Sequence, residues 1–562
     1  MRRFIMFVVL ATTAAAVSAQ GAPVTYAYSG PADQPVVSLD YQGSRLKRLT
    51  DEPTLSIYAD GRVVMPQVYA PMHAYSGTLS QTELQGLLSL IIGKNKFFDF
   101  NEAQVKAQVA ALPGARTTLP GDLATTVIKV NANYASKTVH YFGLGYDKTV
   151  QETEQLLAIR NRLDQIMSVM RLGGQEEATR WLDLANSELE SKYPGVQRLD
   201  LDDLQSAAVY NDGSANVRFA RIKPEQSRSV SVTISTAKSG KRTVTIARDD
   251  LLPTTPNPPN AASLSPLAVP TQLTFVFTYT DPAGVGFNDP TLGAARKAAL
   301  DQTAALLESF FPGYPATINM SVDGANVEVG TLAAAGSNTN SANACDPGFG
   351  SRGDVGVIAL GGADPAPGQP DGTVTVNFAG QTWGLGDTID PGDYDFKSTL
   401  LHELMHAMGF AHSINQDGSS ACSQAAGTAG AFNPYDQWIG DSTTRVIDPT
   451  TFILDGIRWG NVVTGGTGTA GAEWQGPQGI AGNGGQPVPL FSPTVYQAGS
   501  SISHLDDDFF TSAAYLMEAA TAAGPGTRTL SNFEVGMMKD IGYANATNTP
   551  GNPDLIFANG FE

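Results

Sequence analysis

The spacing of hydrophobic and polar residues in the first half of this chain predicts an α+β domain. Apolar residues at every second position predict strands, and apolar residues that recur on one helical face predict two long helices. No grouping of side chains suited to catalysis occurs in this half. The strands are expected at Leu55–Tyr58, Val63–Met65, 126–130, 138–142, 229–235 and 243–247, and the helices at 152–170 and 176–193.

The second half combines further strands with two helices. One helix is expected to run from Asp289 to Phe310, where Pro312 and Gly313 follow, and a second is expected to begin near Asp393 or Asp395. The glycine-rich stretch 465–485 predicts an irregular surface loop. The strands are expected at 273–279, 317–322, Asp354–Leu360 and Thr373–Phe378.

A proline-rich stretch at residues 251–270 divides the chain and predicts an extended linker. The N-terminal block, residues 20–250, is expected to fold separately, as a propeptide or an accessory domain. The C-terminal block is residues 271–545. Two blocks are also what the length of 562 residues predicts, because one core rarely grows that large.

The two ends of the chain are expected to lie outside the folded blocks. Residues 1–19 combine two arginines, an apolar run and small residues at a cleavage position, which predicts a signal peptide and a secreted protein. No later apolar stretch is long enough to span a membrane. Residues 546–562 are interpreted as a C-terminal tail.

The net charge and the cysteine content bear on the possible partners of the protein and on its disulfides. The net charge of −19 and a pI near 4.7 argue against a nucleic-acid partner, because a phosphate backbone would be repelled. In an exported protein, the two cysteines, Cys345 and Cys422, predict one disulfide. Loops rich in aspartate and glycine leave calcium binding open, and the sequence does not determine the oligomeric state.

The candidate chemistry lies in His402-Glu403-Leu404-Met405-His406-Ala407-Met408-Gly409-Phe410-Ala411-His412. Two histidines four residues apart share one helical face, so His402 and His406 can bind one metal ion beside Glu403. A turn at Gly409 can bring His412 back as a third ligand. Three ligands and an open fourth position indicate a catalytic Zn²⁺ site.

This H-E-x-x-H-x-x-G-x-x-H segment resembles the metzincin clan of zinc endopeptidases. Tyr515-Leu516-Met517-Glu518 is the candidate for the methionine turn of that clan, with Met517 beneath the metal. The segments Ser503-His504-Leu505-Asp506 and 530–543 are similar to secreted bacterial relatives of leishmanolysin. Over roughly residues 270–545, the resemblance implies a twisted sheet, a backing helix, an active-site helix and a methionine turn.

The two resemblances imply different third ligands. The compact motif assigns the third zinc ligand to His412, whereas leishmanolysin-like enzymes take theirs from the histidine ahead of the methionine turn, here His504. The spacing of the compact motif slightly favours His412. Both assignments remain open at this point.

The resemblance implies a secreted zinc endopeptidase that acts on proteins or peptides. Glu403 would act as general base toward a zinc-activated water, and an extended substrate would pair with an edge strand at Asp354–Leu360 or Thr373–Phe378. The alternative is a catalytically silent metzincin-like module that binds a surface or partner. Both proteins would bind zinc, so proteolysis distinguishes them.

Overall fold

A computed structural model of the 562-residue chain describes the two blocks in detail. The described residues are 25–548, except 29, 44–47, 70–72, 113–122, 147, 210–214, 224–227, 237–240, 249–271, 325–330, 341–343, 379–380, 421 and 512–514. The predicted signal peptide, the predicted linker and residues 549–562 of the predicted tail therefore lie outside the described residues. The fold is mixed α+β with several sheets, as the residue patterns predict.

The first part of the N-terminal block is a six-stranded antiparallel sheet with helices packed on it. The strand order is β4-β3-β2-β1-β5-β6. Ser80 and Glu83 form the capping box that starts α1, and a π-helical turn at Ser89–Lys94 follows this helix. The strands are β1 Val37–Gln42, β2 Leu55–Ile57, β3 Arg62–Met65, β4 Tyr75–Thr78, β5 Thr125–Ala132 and β6 Ala135–Phe142, and the helices are α1 Gln81–Leu88 and α2 Glu102–Ala110.

The second part of this block is a four-stranded antiparallel sheet with its own apolar core, in the order β10-β9-β8-β7. Two amphipathic helices connect the sheets, and their apolar faces are buried as the period of 3.6 predicts. The helices are α3 Gln151–Arg171 and α4 Gln175–Lys192, and the strands are β7 Leu204–Val209, β8 Ala215–Lys223, β9 Arg228–Thr236 and β10 Arg242–Arg248.

The C-terminal block is built on a four-stranded sheet in the order β11-β12-β14-β13. The first three strands of this order are parallel, and β13 is an antiparallel edge strand. One apolar core joins this sheet to the helices and to the small sheets β15-β16 and β17-β18-β19. The strands are β11 Thr274–Tyr279, β12 Thr317–Asp323, β13 Ala333–Ser337, β14 Gly372–Val376, β15 Trp383–Gly384, β16 Tyr394–Asp395, β17 Ile439–Gly440, β18 Glu473–Trp474 and β19 Val488–Pro489.

The described residues of this block also form α-helices, of which the first three along the chain pack against this sheet. The one that carries the H-E-x-x-H segment starts at Phe396, capped by Asp395, so its predicted start is confirmed. The helices are α5 Gly293–Phe310, α6 Asp354–Ala359, α7 Phe396–Ala407, α8 Gly456–Val462, α9 Pro477–Gly482 and α10 Asn532–Asp540.

Two predicted elements are wrong. The predicted strand Asp354–Leu360 is helix α6, because its short apolar run also fits one helical face and Asp354 accepts hydrogen bonds from Asn340. The predicted loop 465–485 contains β18 and α9.

Neither segment that was predicted as an edge strand for substrate binding is an edge strand. One candidate is the helix α6, and the other is β14, an interior strand; β13 forms the edge. No helix among the described residues has the length and apolar character needed to cross a membrane.

Candidate metal centre

The helix α7 is fixed at both of its ends. At the start, the carboxylate of Asp395 accepts a hydrogen bond from Ser398 N at 3.0 Å, and the side chain of Arg528 binds the same carboxylate at 2.8 and 2.9 Å. At the end, the hydroxyl of Tyr543 donates to the carbonyl of Met408 at 2.9 Å. The histidines of α7 therefore project from a firmly held helix.

Three imidazoles converge at the buried end of this helix. The Nε2 atom of His402 lies 2.9 Å from that of His406 and 3.2 Å from that of His504, and the last pair is 3.1 Å apart. His402 and His504 are fully buried, and His406 is 5% exposed. The structure thus brings together His402, His406 and His504, the sequence's alternative third ligand.

Each imidazole donates a hydrogen bond from Nδ1 to a backbone carbonyl. The acceptors are Leu516 O for His402 at 2.6 Å, Phe410 O for His406 at 2.6 Å and Ser500 O for His504 at 2.8 Å. A carbonyl can only accept, so the proton of each neutral ring lies on Nδ1. In the neutral form of each ring the Nε2 atom carries no proton, and the three Nε2 atoms face one another, which is the arrangement that a metal ligand requires.

The spacing of these nitrogens fits a small cation. Tetrahedral Zn²⁺ with Zn–N bonds of about 2.0–2.1 Å places its ligand nitrogens about 3.3–3.4 Å apart. The observed 2.9–3.2 Å is slightly tighter. Three lone pairs at this distance repel one another, and a cation among them relieves that repulsion. The residues present therefore fit a metal ion with imidazole ligands.

Glu403 lies beside this group on α7 and is fully buried. Its Oε2 accepts a hydrogen bond from Ala335 N, on the edge strand β13, at 3.2 Å. The carboxylate thus lies between the helix of the histidines and β13, an edge strand of the main sheet. This position allows Glu403 to exchange a proton with a group bound along β13.

The candidate methionine turn lies under His402. Leu516 and Met517 are in a turn; Met517 is fully buried, and the carbonyl of Leu516 accepts the Nδ1 proton of His402. The fully buried carboxylate of Glu534, at the start of α10, accepts hydrogen bonds from Met517 N at 2.9 Å and from Ser531 N at 2.6 Å. Burial raises the pKa of Glu534. One carboxylate therefore joins α10 to the turn that orients a candidate ligand.

His412, the sequence's preferred third ligand, lies outside this group. Gly409 makes the predicted turn, with φ of +106°, but the turn brings the carbonyl of Phe410 to His406 and leaves His412 near Trp459, with ring centroids 6.1 Å apart. Burial lowers the pKa of His412 to about 4, so this ring is neutral at pH 7. In the structure it is His504, and not His412, that lies with His402 and His406.

The loop after α7 is held by a buried carboxylate and a disulfide. Asp436, fully buried, accepts hydrogen bonds from Ser413 N and Asn433 N at 2.9 and 3.0 Å, and burial raises its pKa to about 6. The disulfide joins Cys345 to Cys422, as expected from the sequence, with a Cα–Cα distance of 5.6 Å.

A second group of possible ligands is acidic and consists of Asp506, Asp507 and Asp508. The carboxylate of Asp506 accepts hydrogen bonds from Gly468 N at 2.8 Å and Phe509 N at 3.2 Å, so the backbone already occupies part of its capacity. Calcium binding stays an expectation from the sequence.

Sequence reasoning missed the roles of Glu534 and Asp436. A signal for Glu534 was present, because Ser531 followed three residues later by Glu534 is the pattern of a capping box. Asp436 makes a similar reciprocal pair with Asn433, three residues earlier, but Asn-Pro-Tyr-Asp is not the Ser/Thr-x-x-Glu/Gln pattern of a capping box. No protein-family model, curated protein or solved structure matches this chain.

Proposed function

We propose that this protein is a secreted zinc-dependent endopeptidase that hydrolyses proteins or peptides. The convergence of His402, His406 and His504, with Glu403 on the same helix, is the observation that carries the proposal. Three imidazoles leave a coordination position open, which is the pattern of a catalytic site. A bound zinc ion supplies Lewis-acid polarisation of a carbonyl and lowers the pKa of water.

The protein's own residues would perform the remaining tasks. Glu403 would take the proton of the attacking water and pass it to the leaving amine. The carbonyls of Leu516, Phe410 and Ser500 would keep the imidazoles in the ligand tautomer. An extended substrate would pair with the edge strand β13, next to Glu403, by strand addition.

Metal analysis and proteolysis test this proposal. We expect about one zinc ion per chain by elemental analysis, and degradation of casein or gelatin that a chelator abolishes. Glu403→Ala should retain zinc and lose proteolysis. A pure, zinc-loaded protein that cleaves no member of a peptide library would contradict the proposal and favour the silent binding module.

The choice of third ligand has a direct test. His504→Ala should weaken zinc binding by orders of magnitude, whereas His412→Ala, the control, should keep its zinc. A zinc-replete His504→Ala would refute the assignment made from the Nε2 distances.

A further inference from the structure

We infer that the N-terminal block is a permanent second layer of the catalytic unit, which covers the β14–β13 side of the outer face of the main sheet and holds the turn that carries His504. This inference rests on the proposed function in so far as His504 is a metal ligand. It goes beyond that function because it assigns the N-terminal block a structural role instead of removal as a propeptide.

The two blocks meet at the turn that carries His504. The hydroxyl of Ser500 donates to the carbonyl of Gly43 in the N-terminal block at 2.8 Å, and Ser500 is only 1% exposed. The carbonyl of the same serine accepts the Nδ1 proton of His504 at 2.8 Å. Ser500 therefore links the N-terminal block directly to the orientation of a candidate ligand.

Gly43 fits this contact in a way that other residues would not. Its φ of +77° lies in the left-handed region, and a Cβ at this position would lie 2.8 Å from the carbonyl oxygen of Ala498. The backbones of the two blocks thus approach so closely that a side chain is excluded.

The outer face of the main sheet also contacts the N-terminal block, at the side formed by β14 and β13. Val374 of β14 points toward the helices, so Thr373 and Thr375 point to the opposite face. There the hydroxyl of Tyr146 lies 3.2 and 3.1 Å from the hydroxyls of Thr373 and Thr375. Ala334, which pairs with Thr375, is fully buried on the same face.

A third contact lies at the start of the edge strand. Val68 and Tyr69 of the N-terminal block form an apolar cluster with Leu332 and Tyr394, and all four are at most 3% exposed. Ala124 N donates to the hydroxyl of the fully buried Thr331 at 3.1 Å. Removal of the N-terminal block would expose this apolar surface and leave buried polar groups without partners.

These contacts are not placed as those of a propeptide that blocks a metal site would be. Within the described parts of the chain, the donor atoms grouped at the candidate metal site come from His402, His406 and His504, and the N-terminal block contributes none. Its contact reaches His504 through Ser500, on the Nδ1 side. This geometry supports the ligand and does not compete with it.

Cleavage of the linker tests whether the blocks stay joined. A recognition site for a specific protease is placed within residues 251–270 of the full chain, the chain is cut, and the products are separated by size-exclusion chromatography at micromolar concentration. We expect the two fragments to co-elute and to keep their zinc affinity. Separation of the fragments, or a rise in proteolysis with release of the N-terminal fragment, would overturn the inference.

Matched variants test the link to His504. Zinc affinity, measured by competition with a chelator, should fall by up to about tenfold in Ser500→Ala, and stay unchanged in Ser492→Ala, which removes another buried hydroxyl of the C-terminal block. Gly43→Ala should likewise lose affinity. Gly174→Ala should not, because that glycine also has positive φ, of +109°, but no atom within 4 Å of its Cβ position.

The readouts separate this inference from the proposed function. Equal zinc affinity in Ser500→Ala and Ser492→Ala would refute the role of the N-terminal block at His504. A wild-type protein that contains no zinc would refute the proposed function instead, while co-elution of the cut fragments would still report on the two-layer arrangement.

Discussion

Glu534 offers a sharp test of how the fold orients the candidate metal ligands. Its carboxylate accepts hydrogen bonds from Met517 N and Ser531 N, and the neighbouring carbonyl of Leu516 accepts the Nδ1 proton of His402. In Glu534→Ala, the turn loses its anchor on α10. We expect the imidazole of His402 to become less fixed and zinc affinity to fall.

The expected magnitudes follow from these contacts. Loss of the cap at Ser531 costs about 1 kcal/mol, and the buried Met517 N–H without an acceptor costs about 1–3 kcal/mol. The free energy of unfolding should therefore fall by about 2–4 kcal/mol. Zinc affinity should fall by about tenfold, the lower end of the effect of losing a residue that orients a ligand, because Glu534 acts through the backbone.

A matched control exists in the N-terminal block. Glu83 forms the same capping box with Ser80, at the exposed start of α1. Glu83→Ala should lower stability by at most about 1 kcal/mol and leave zinc affinity unchanged. Glu534→Gln retains one acceptor oxygen and should lie between wild type and Glu534→Ala. Chemical denaturation and chelator competition measure both quantities, and equal zinc affinity in Glu534→Ala and Glu83→Ala would refute the reasoning.

Three further predictions concern the loops and helix around the site. The buried carboxyl of Asp436 has its pKa raised from 3.8 to about 6, so the folded state binds this proton more tightly. Its contribution to the free energy of unfolding falls as pH rises from about 4 to 6, by up to about 3 kcal/mol. Over that interval, Asp436→Asn should gain stability relative to wild type, measured by denaturation at each pH. Equal pH dependence of stability in the two proteins would disprove this. Replacement of Cys345 and Cys422 by serine should lower stability by about 2–4 kcal/mol, measured by denaturation without reductant, and no change would show that the closed loop contributes nothing. Tyr543→Phe removes the hydrogen bond to Met408 O and should cost about 1–2 kcal/mol of stability, and an unchanged transition midpoint would contradict that contact.

Local sequence patterns predicted the elements that carry their own signals. The start of α7 near Asp395 was predicted because it depends on residues within one helical turn. The edge strand β13 was missed because Ala333–Ser337 reads Ala-Ala-Ala-Gly-Ser, without the β-branched or aromatic residues typical of strands. Its strand conformation is stabilised by pairing with β14.

The third candidate ligand shows the limit of such patterns. Spacing could relate His402, His406 and His412, because one helix and one turn connect them. His504 reaches the same place from 98 residues beyond His406, through the turn at Ser500 and the hydrogen bond from Leu505 N to the carbonyl of Met517 in the methionine turn. Without a resemblance to another protein, nothing local to His504 indicates this position.

The carbonyls that orient the three imidazoles have a consequence for how this site tolerates mutation. Leu516, Phe410 and Ser500 act on the histidines through main-chain oxygens, which every amino acid possesses. The acceptor of each ring is therefore set by the path of the chain, and side chains such as the hydroxyl of Ser500 and the carboxylate of Glu534 hold that path. A divergent sequence that holds the same path by other contacts would preserve the three acceptors, and a residue-by-residue comparison would register only the histidines and the glutamate.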